Sequence, residues 1–146
     1  MIAPARTPET RTVLVQWLSE KLRTTADELV GTCPFEIIGV LRNDYLMGAV
    51  LYNNYRYGRI EMACGGEPGW LTRPVLRDVF AYPFNQLGCT AVMTTVVRGN
   101  KTVREFNKKL GFREMCILPG ASKADELALY CMTRKDCRWL PKPQLH

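Results

Sequence analysis

The chain has 146 residues, 47% hydrophobic and 23% charged, which suits one globular domain spanning 1–146 with a core of useful size. Twenty Lys and Arg against fourteen Asp and Glu leave a net charge of +6 and a pI near 9.1, a balance that attracts nucleic acid, anionic cofactors or acidic protein surfaces. The single histidine is the last residue, His146, so Ser-His-Asp, Cys-His and histidine-ligated zinc chemistry have no plausible histidine.

The opening "MIAPARTPETR" has no apolar run of leader length, and the longest uncharged stretch, 81–97, is broken by Pro83, Asn85, Gln86 and Gly88. The expectation is a cytoplasmic protein that neither carries a leader nor spans a membrane. The six cysteines (33, 64, 89, 116, 131 and 137) contain no C-x-x-C pair and are expected as reduced thiols.

Residues 10–29 place Val13, Trp17, Leu18, Leu22, Ala26 and Leu29 at helical spacing, which predicts one or two helices. After "GTCP", the runs "FEIIGVL" and "YLMGAVLY" around "RND" read as a β-hairpin; "NNYRYG" makes the next turn and "RIEMAC" a third strand. "GGEPGW" is too rich in Gly and Pro for either element. A helix follows, with Thr72 as its cap, Pro74 in its first turn, Gly88 as its stop and Pro83 loosening one turn. "CTAVMTTVV" is expected as a strand buried on both faces. Next comes a basic helix capped by Asn100 and ended by Gly111, with Val103, Phe106 and Leu110 as its apolar stripe. "FREMCIL" and "ELALYCMT" close the chain as strands around the loop "PGASKAD". The order predicts an α+β fold with a mixed central sheet: an antiparallel meander feeding a β-α-β-α-β crossover.

That order, the Gly-containing loop before "WLTRPVLRDVFAYPFNQLG", and "NKTVREFNKKLGF" after a strand together resemble the GNAT N-acetyltransferase superfamily. The likeness extends from about Phe35 to Arg134 and looks particularly like the ribosomal-protein-acetylating branch and phage-encoded members. It implies acetyl-CoA as co-substrate, bound where "RIEMAC" and "CTAVMTTVV" splay apart, with Met62, Ala63 and Cys64 as pantetheine contacts. The pyrophosphate is implied at Gly69, Trp70, Leu71, Thr72 and Arg73, where a helix start offers free N–H groups, with charge added by Arg77. Asn100, Arg104 and Phe106 are implied on the other wall.

Catalysis in such a site needs a neutral amine and a base, for which Glu61 is the candidate, with a backbone N–H near Ala63 for the oxyanion. Two positions depart from the family pattern: Trp70 replaces the second glycine of the phosphate loop, and Asn107 stands where many members have a general-acid Tyr. An amide donates a hydrogen bond but no proton, so water is left as the acid. Trp70 is expected at the rim of the site, with core packing as the alternative. Cys64 near the thioester suggests an acyl-enzyme, disfavoured because no histidine activates it.

The function implied is acetyl transfer from acetyl-CoA to a primary amine by direct attack in a ternary complex. The acceptor is open among a protein N-terminus, a lysine and a small-molecule amine, as is pairing into a homodimer; no membrane partner is expected. The alternative is a catalytically silent scaffold of the same fold that binds nucleic acid or protein through its basic surface, helped by the aromatic "YNNYRYG".

Overall fold

The computed structural model describes residues 1–121 and 125–141. His146 and residues 122–124 of the "PGASKAD" loop lie outside the described residues. A short strand that the sequence did not announce, β1 (Ile2–Pro4), pairs antiparallel along the next strand with Ile2 opposite Val40. Two helices follow, each opened by a threonine. Thr7 accepts from Thr10 N at the start of α1 (Pro8–Lys21), and Thr25 accepts from Glu28 N at the start of α2 (Ala26–Val30). The buried stripe of α1 is Leu14, Val15 and Leu18. Val13, expected in that stripe, is 61% exposed, because the row facing the sheet is displaced by one residue.

Strands β2 (Phe35–Arg42) and β3 (Tyr45–Arg56) are joined by Asn43 and Asp44, both at positive φ (51° and 65°), as a two-residue turn requires. Strand β3 runs four residues beyond the expected "YLMGAVLY", through Asn53, Asn54, Tyr55 and Arg56, with a register shift before it turns at Tyr57 and Gly58. "NNYRYG" is thus mostly strand. β4 (Arg59–Gly66) returns beside it.

Helix α3 (Arg73–Ala81) continues into a wider turn, Tyr82–Gln86, closed by Leu87 N donating to Tyr82 O at 3.0 Å. Pro83, which has no N–H to give, lies in that loosened turn. Then come β5 (Ala91–Val97), α4 (Lys101–Leu110), β6 (Arg113–Leu118) and β7 (Leu127–Thr133). Gly111 ends α4 in the left-handed conformation, as expected.

The seven strands form one sheet in the order β1-β2-β3-β4-β5-β7-β6, with β4 and β5 parallel and every other neighbouring pair antiparallel. One face carries α3 and the last turn of α4. Its core includes Val50, Tyr52, Phe80, Phe84, Val92, Ala128, Tyr130 and Met132, all buried. Tyr52 Oη donates to Val79 O at 2.5 Å, tying the sheet to α3.

The opposite face is covered over half its width. Helix α1 lies on β2, β3 and β4, where a Cβ on Gly39 would stand 3.1 Å from Leu14 and one on Gly65 3.4 Å from Leu18. Among the described residues, the β5-β7-β6 half has no such cover. Strand β5 buries Val92 alone; Met93 is half-buried, and Thr95 and Val97 are exposed. The expectation of a strand buried on both faces is corrected here: its β-branched residues meet a helix-packed core on one side only.

Candidate active site

The parallel pair β4/β5 holds for three residues: Arg59 opposite Ala91, Ile60 opposite Val92 and Glu61 opposite Met93. Beyond that point β4 pairs only with β3, through to Gly66, and β5 only with β7, through to Val97. The strands therefore part at Glu61 and Met93, and each leaves an edge of backbone N–H and C=O groups facing the gap. Met62 is buried toward α3, whereas Ala63 and Cys64 are partly accessible beside the gap. The apolar surroundings of Cys64 push its thiol up to about 11, so it is no nucleophile near neutral pH.

The chain then passes into the loop before α3. Gly69 adopts a φ of +80°, which a side chain would strain, and its carbonyl accepts from Arg42 Nη2 at 3.0 Å. Trp70 is buried in the core, contrary to the expected rim position. Its indole fills the space above two glycines: a Cβ on Gly48 would lie 2.1 Å from the ring and one on Gly66 2.6 Å. The absent side chains of β3 and β4 make the slot, so a bulky residue in the second-glycine position costs the loop no room.

Trp70 N donates to Glu67 O and Thr72 N to Trp70 O, both at 3.2 Å, so these two N–H groups are spent within the loop. Thr72 stands at the cap position of α3, but its hydroxyl makes no cap bond, and the first helical bond runs from Leu76 N to Thr72 O. Among the described residues, the N–H groups of Leu71, Arg73 and Val75 have no partner. A helix start left open in this way favours an anion.

Arg73 and Arg77 line a cavity of about 320 Å³ there, closed by Arg138, Trp139, Leu140 and Pro141 from the chain's end. Sequence reasoning missed this last segment, although "CRW" next to prolines marks an ordered, cation-bearing turn. Arg138 stacks on Trp139 at 4.5 Å, and Trp139 Nε1 donates to Leu110 O at 2.8 Å. A larger cavity, about 420 Å³, lies between α1, α2 and Phe35 and contains none of the splayed residues.

On the other wall, Asn100 Oδ1 accepts from Val103 N at 3.2 Å and so caps α4. Arg104 points back to the sheet: its Nε donates to Tyr130 Oη at 3.1 Å, Nη1 to Arg98 O at 2.8 Å, and Nη2 to Glu114. Those bonds from Arg104 and Tyr130 hold the Glu114 carboxyl below the usual range. Val103 and Phe106, expected in a buried stripe, are 36% and 38% exposed, and of the three only Leu110 is buried. Both are open to solvent on that flank. Asn107 is 7% exposed as a residue, and its carboxamide, which bonds no described group, is not itself shut off from solvent. Glu61 receives a hydrogen bond from the Asn54 amide. The structure thus brings Glu61, Met62, Ala63 and Cys64 to one wall of the splay and the Gly69 to Arg73 loop to its head, with Asn100, Arg104, Phe106 and Asn107 on the helix that follows β5.

No family model and no curated protein matches the chain. Solved structures do match. A point variant of the spermidine N-acetyltransferase SpeG from Vibrio cholerae superimposes with a TM-score of 0.67 at 14% identity, over 91% of this chain and 94% of that one. A protein from Desulfovibrio desulfuricans described as a GNAT-family acetyltransferase gives 0.69 at 16% identity, over 91% and 98%. The mixed seven-stranded sheet with its four helices is the GNAT fold of these acetyltransferases. Among the described residues, no helix is long and apolar enough to cross a membrane, and no group of His, Cys, Asp and Glu could hold a metal ion.

Proposed function

We propose that the protein is an N-acetyltransferase that uses acetyl-CoA and a primary amine, with transfer at the β4/β5 splay. The observation that carries this reading is the combination of a strand pair that parts after Glu61 with an open, arginine-flanked start of α3 at the head of the gap. The acetyltransferase neighbours support the same class. The residues present fit a CoA-type donor: Leu71, Arg73 and Val75 offer N–H groups to phosphate, Arg73 and Arg77 offer charge, and the free edge of β4 offers backbone groups to amides.

When bound, the donor supplies an activated acetyl group. This chain's own residues do the rest. An amine is mostly protonated near neutral pH, and Glu61, at the mouth of the splay, takes its proton directly or through water. Asn107 offers an amide N–H and holds no titratable proton, so water returns the proton to the leaving sulfur. Cys64, kept neutral, leaves direct attack as the route.

Calorimetry with acetyl-CoA tests this, using the wild type beside Arg73→Glu and Glu61→Gln. Micromolar binding is expected for the wild type and for Glu61→Gln, with a clear loss for Arg73→Glu. Absence of binding by the wild type refutes the enzyme and leaves polyanion binding by the basic surface as the reading to pursue.

A further inference from the structure

On the reading that acetyl transfer occurs at the splay, we propose that the acceptor is a single amine on an extended apolar segment, a peptide α-amine with apolar first residues, lying across the uncovered half of the sheet. Cross-strand register places Phe35, Asn53, Glu61, Met93 and Cys131 in one row, and alternate residues of a strand share a face. Counting by twos along β4, from Glu61 through Ala63, Gly65 under α1 shares that face, so Glu61 points to the α1 side and away from α3. The phosphate-binding features sit on α3. The amine therefore reaches the thioester from the face opposite the donor's phosphates.

On that face the ground beside Glu61 is apolar and bare. Met93, Leu129 and Cys131 are half-buried and Thr95 and Val97 exposed, while across the gap Leu22, packed over Gly65, is 38% exposed. The β5 edge beyond Met93, which among the described residues has no strand partner on the β4 side, offers backbone groups to the first residue of such a segment.

Charge selects within the amines. Around this half of the sheet, Glu126 is held by Arg98 at 2.8 Å and Asp136 by Arg113 at 3.2 Å, whereas Glu61 is bonded only to an amide. Asp125 stands beyond the end of β5, beside Gly99, so within its own row Glu61 is the one carboxylate, and it matches one amine. A polyamine, with several positive charges, would meet a chain of net charge +6 with no further free acid in the row. A partly accessible carboxylate also suits an α-amine, which loses its proton near pH 8 (about 7.7–8.0), better than a lysine at about 10.4. In the transfer the amine nitrogen bonds to the acetyl carbon, the carbon–sulfur bond breaks, sulfur leaves as the CoA thiolate, and the amine's proton passes to Glu61 or water.

The test compares the tripeptide amides Ala-Leu-Phe and Ala-Gly-Ser with spermidine as acceptors for the full chain, following thiol release, with acetyl-CoA binding measured in parallel. The apolar peptide is expected to lead the polar one by about tenfold in kcat/KM and to lead spermidine. Leu129→Ser should raise its KM about tenfold with kcat and acetyl-CoA binding unchanged. Thr95→Glu, at an exposed position that leaves the fold intact, should shift preference toward spermidine by placing a second acid in reach of Glu61. Binding of acetyl-CoA with spermidine preferred, with an unchanged KM in Leu129→Ser, or with a dimer that Leu129→Ser dissociates, overturns the acceptor proposal alone. No acetyl-CoA binding overturns the enzyme reading and the proposal together.

Discussion

One face of this sheet is finished in two ways. Over β2, β3 and β4 the central row is Gly39, Ala49 and Gly65, and α1 settles onto it with Leu14 and Leu18 in contact. Over β5, β7 and β6 the rows are Met93 with Cys131 and Thr95 with Leu129, which are just as apolar but, among the described residues, have no helix on them. Apolar content alone does not decide whether a sheet face is covered. Small residues that let a helix backbone come close decide it, together with a helix whose stripe fits them.

The contrast can be broken by substitution. Leu18 is fully buried between α1 and the sheet, so Leu18→Ala should cost about 2–5 kcal/mol in denaturant unfolding, whereas Leu129→Ala across the same face should cost well under half as much. A smaller effect follows from adding bulk. Gly65→Val introduces a branched side chain whose first carbon already stands 3.3 Å from Leu22, and should destabilise by about 1–3 kcal/mol, while Thr95→Val should stay within about 0.5 kcal/mol.

The helix-bearing face of β6 and β7 offers a control that depends on pH. Bonds from Arg104 and Tyr130 depress the Glu114 carboxyl, so its contribution is present above the unfolded glutamate value of about 4.3 and is lost as pH falls through the lower folded value. Thermal scans should find Glu114→Gln less stable than the wild type at neutral pH, with the gap closing in acid. The smallest effect is one of rate. Exposed Cys33 and Cys116 should be alkylated first at pH 8, half-buried Cys64 later because its thiol is pushed up, and fully buried Cys89 last, as mass spectrometry of timed samples would show.

Much of the scaffold could be read from local chemistry. Asn100 and Gly111 bracket α4 as their side-chain and φ preferences dictate, and Pro83 loosens α3 where it should. The misreadings came from tertiary context. Val103 and Phe106 have the spacing of a buried stripe but stand half-open to solvent, and the "CTAVMTTVV" run has the composition of a doubly covered strand while, among the described residues, one side is open. The burial of Trp70 depends on Gly48 and Gly66, which lie on two strands that precede it and become its neighbours only in the folded sheet. The cavity at α3 joins residues 73–77 to residues 138–141, a pairing that no local pattern announces. Strand β1, three residues long at an edge, carries too short a period to be seen.

The placement of the indoles gives the molecule an optical property. Trp70, buried two residues before the cap of α3, and Trp139, half-buried in the wall of the arginine-lined cavity, both emit from the head of the splay, while Trp17 on α1 lies beside Lys21. An anion seated at Arg73 and Arg77 would change the field and the solvent around two of the three fluorophores and leave the third as an internal reference. Occupancy can then be followed by the emission of the unlabelled protein.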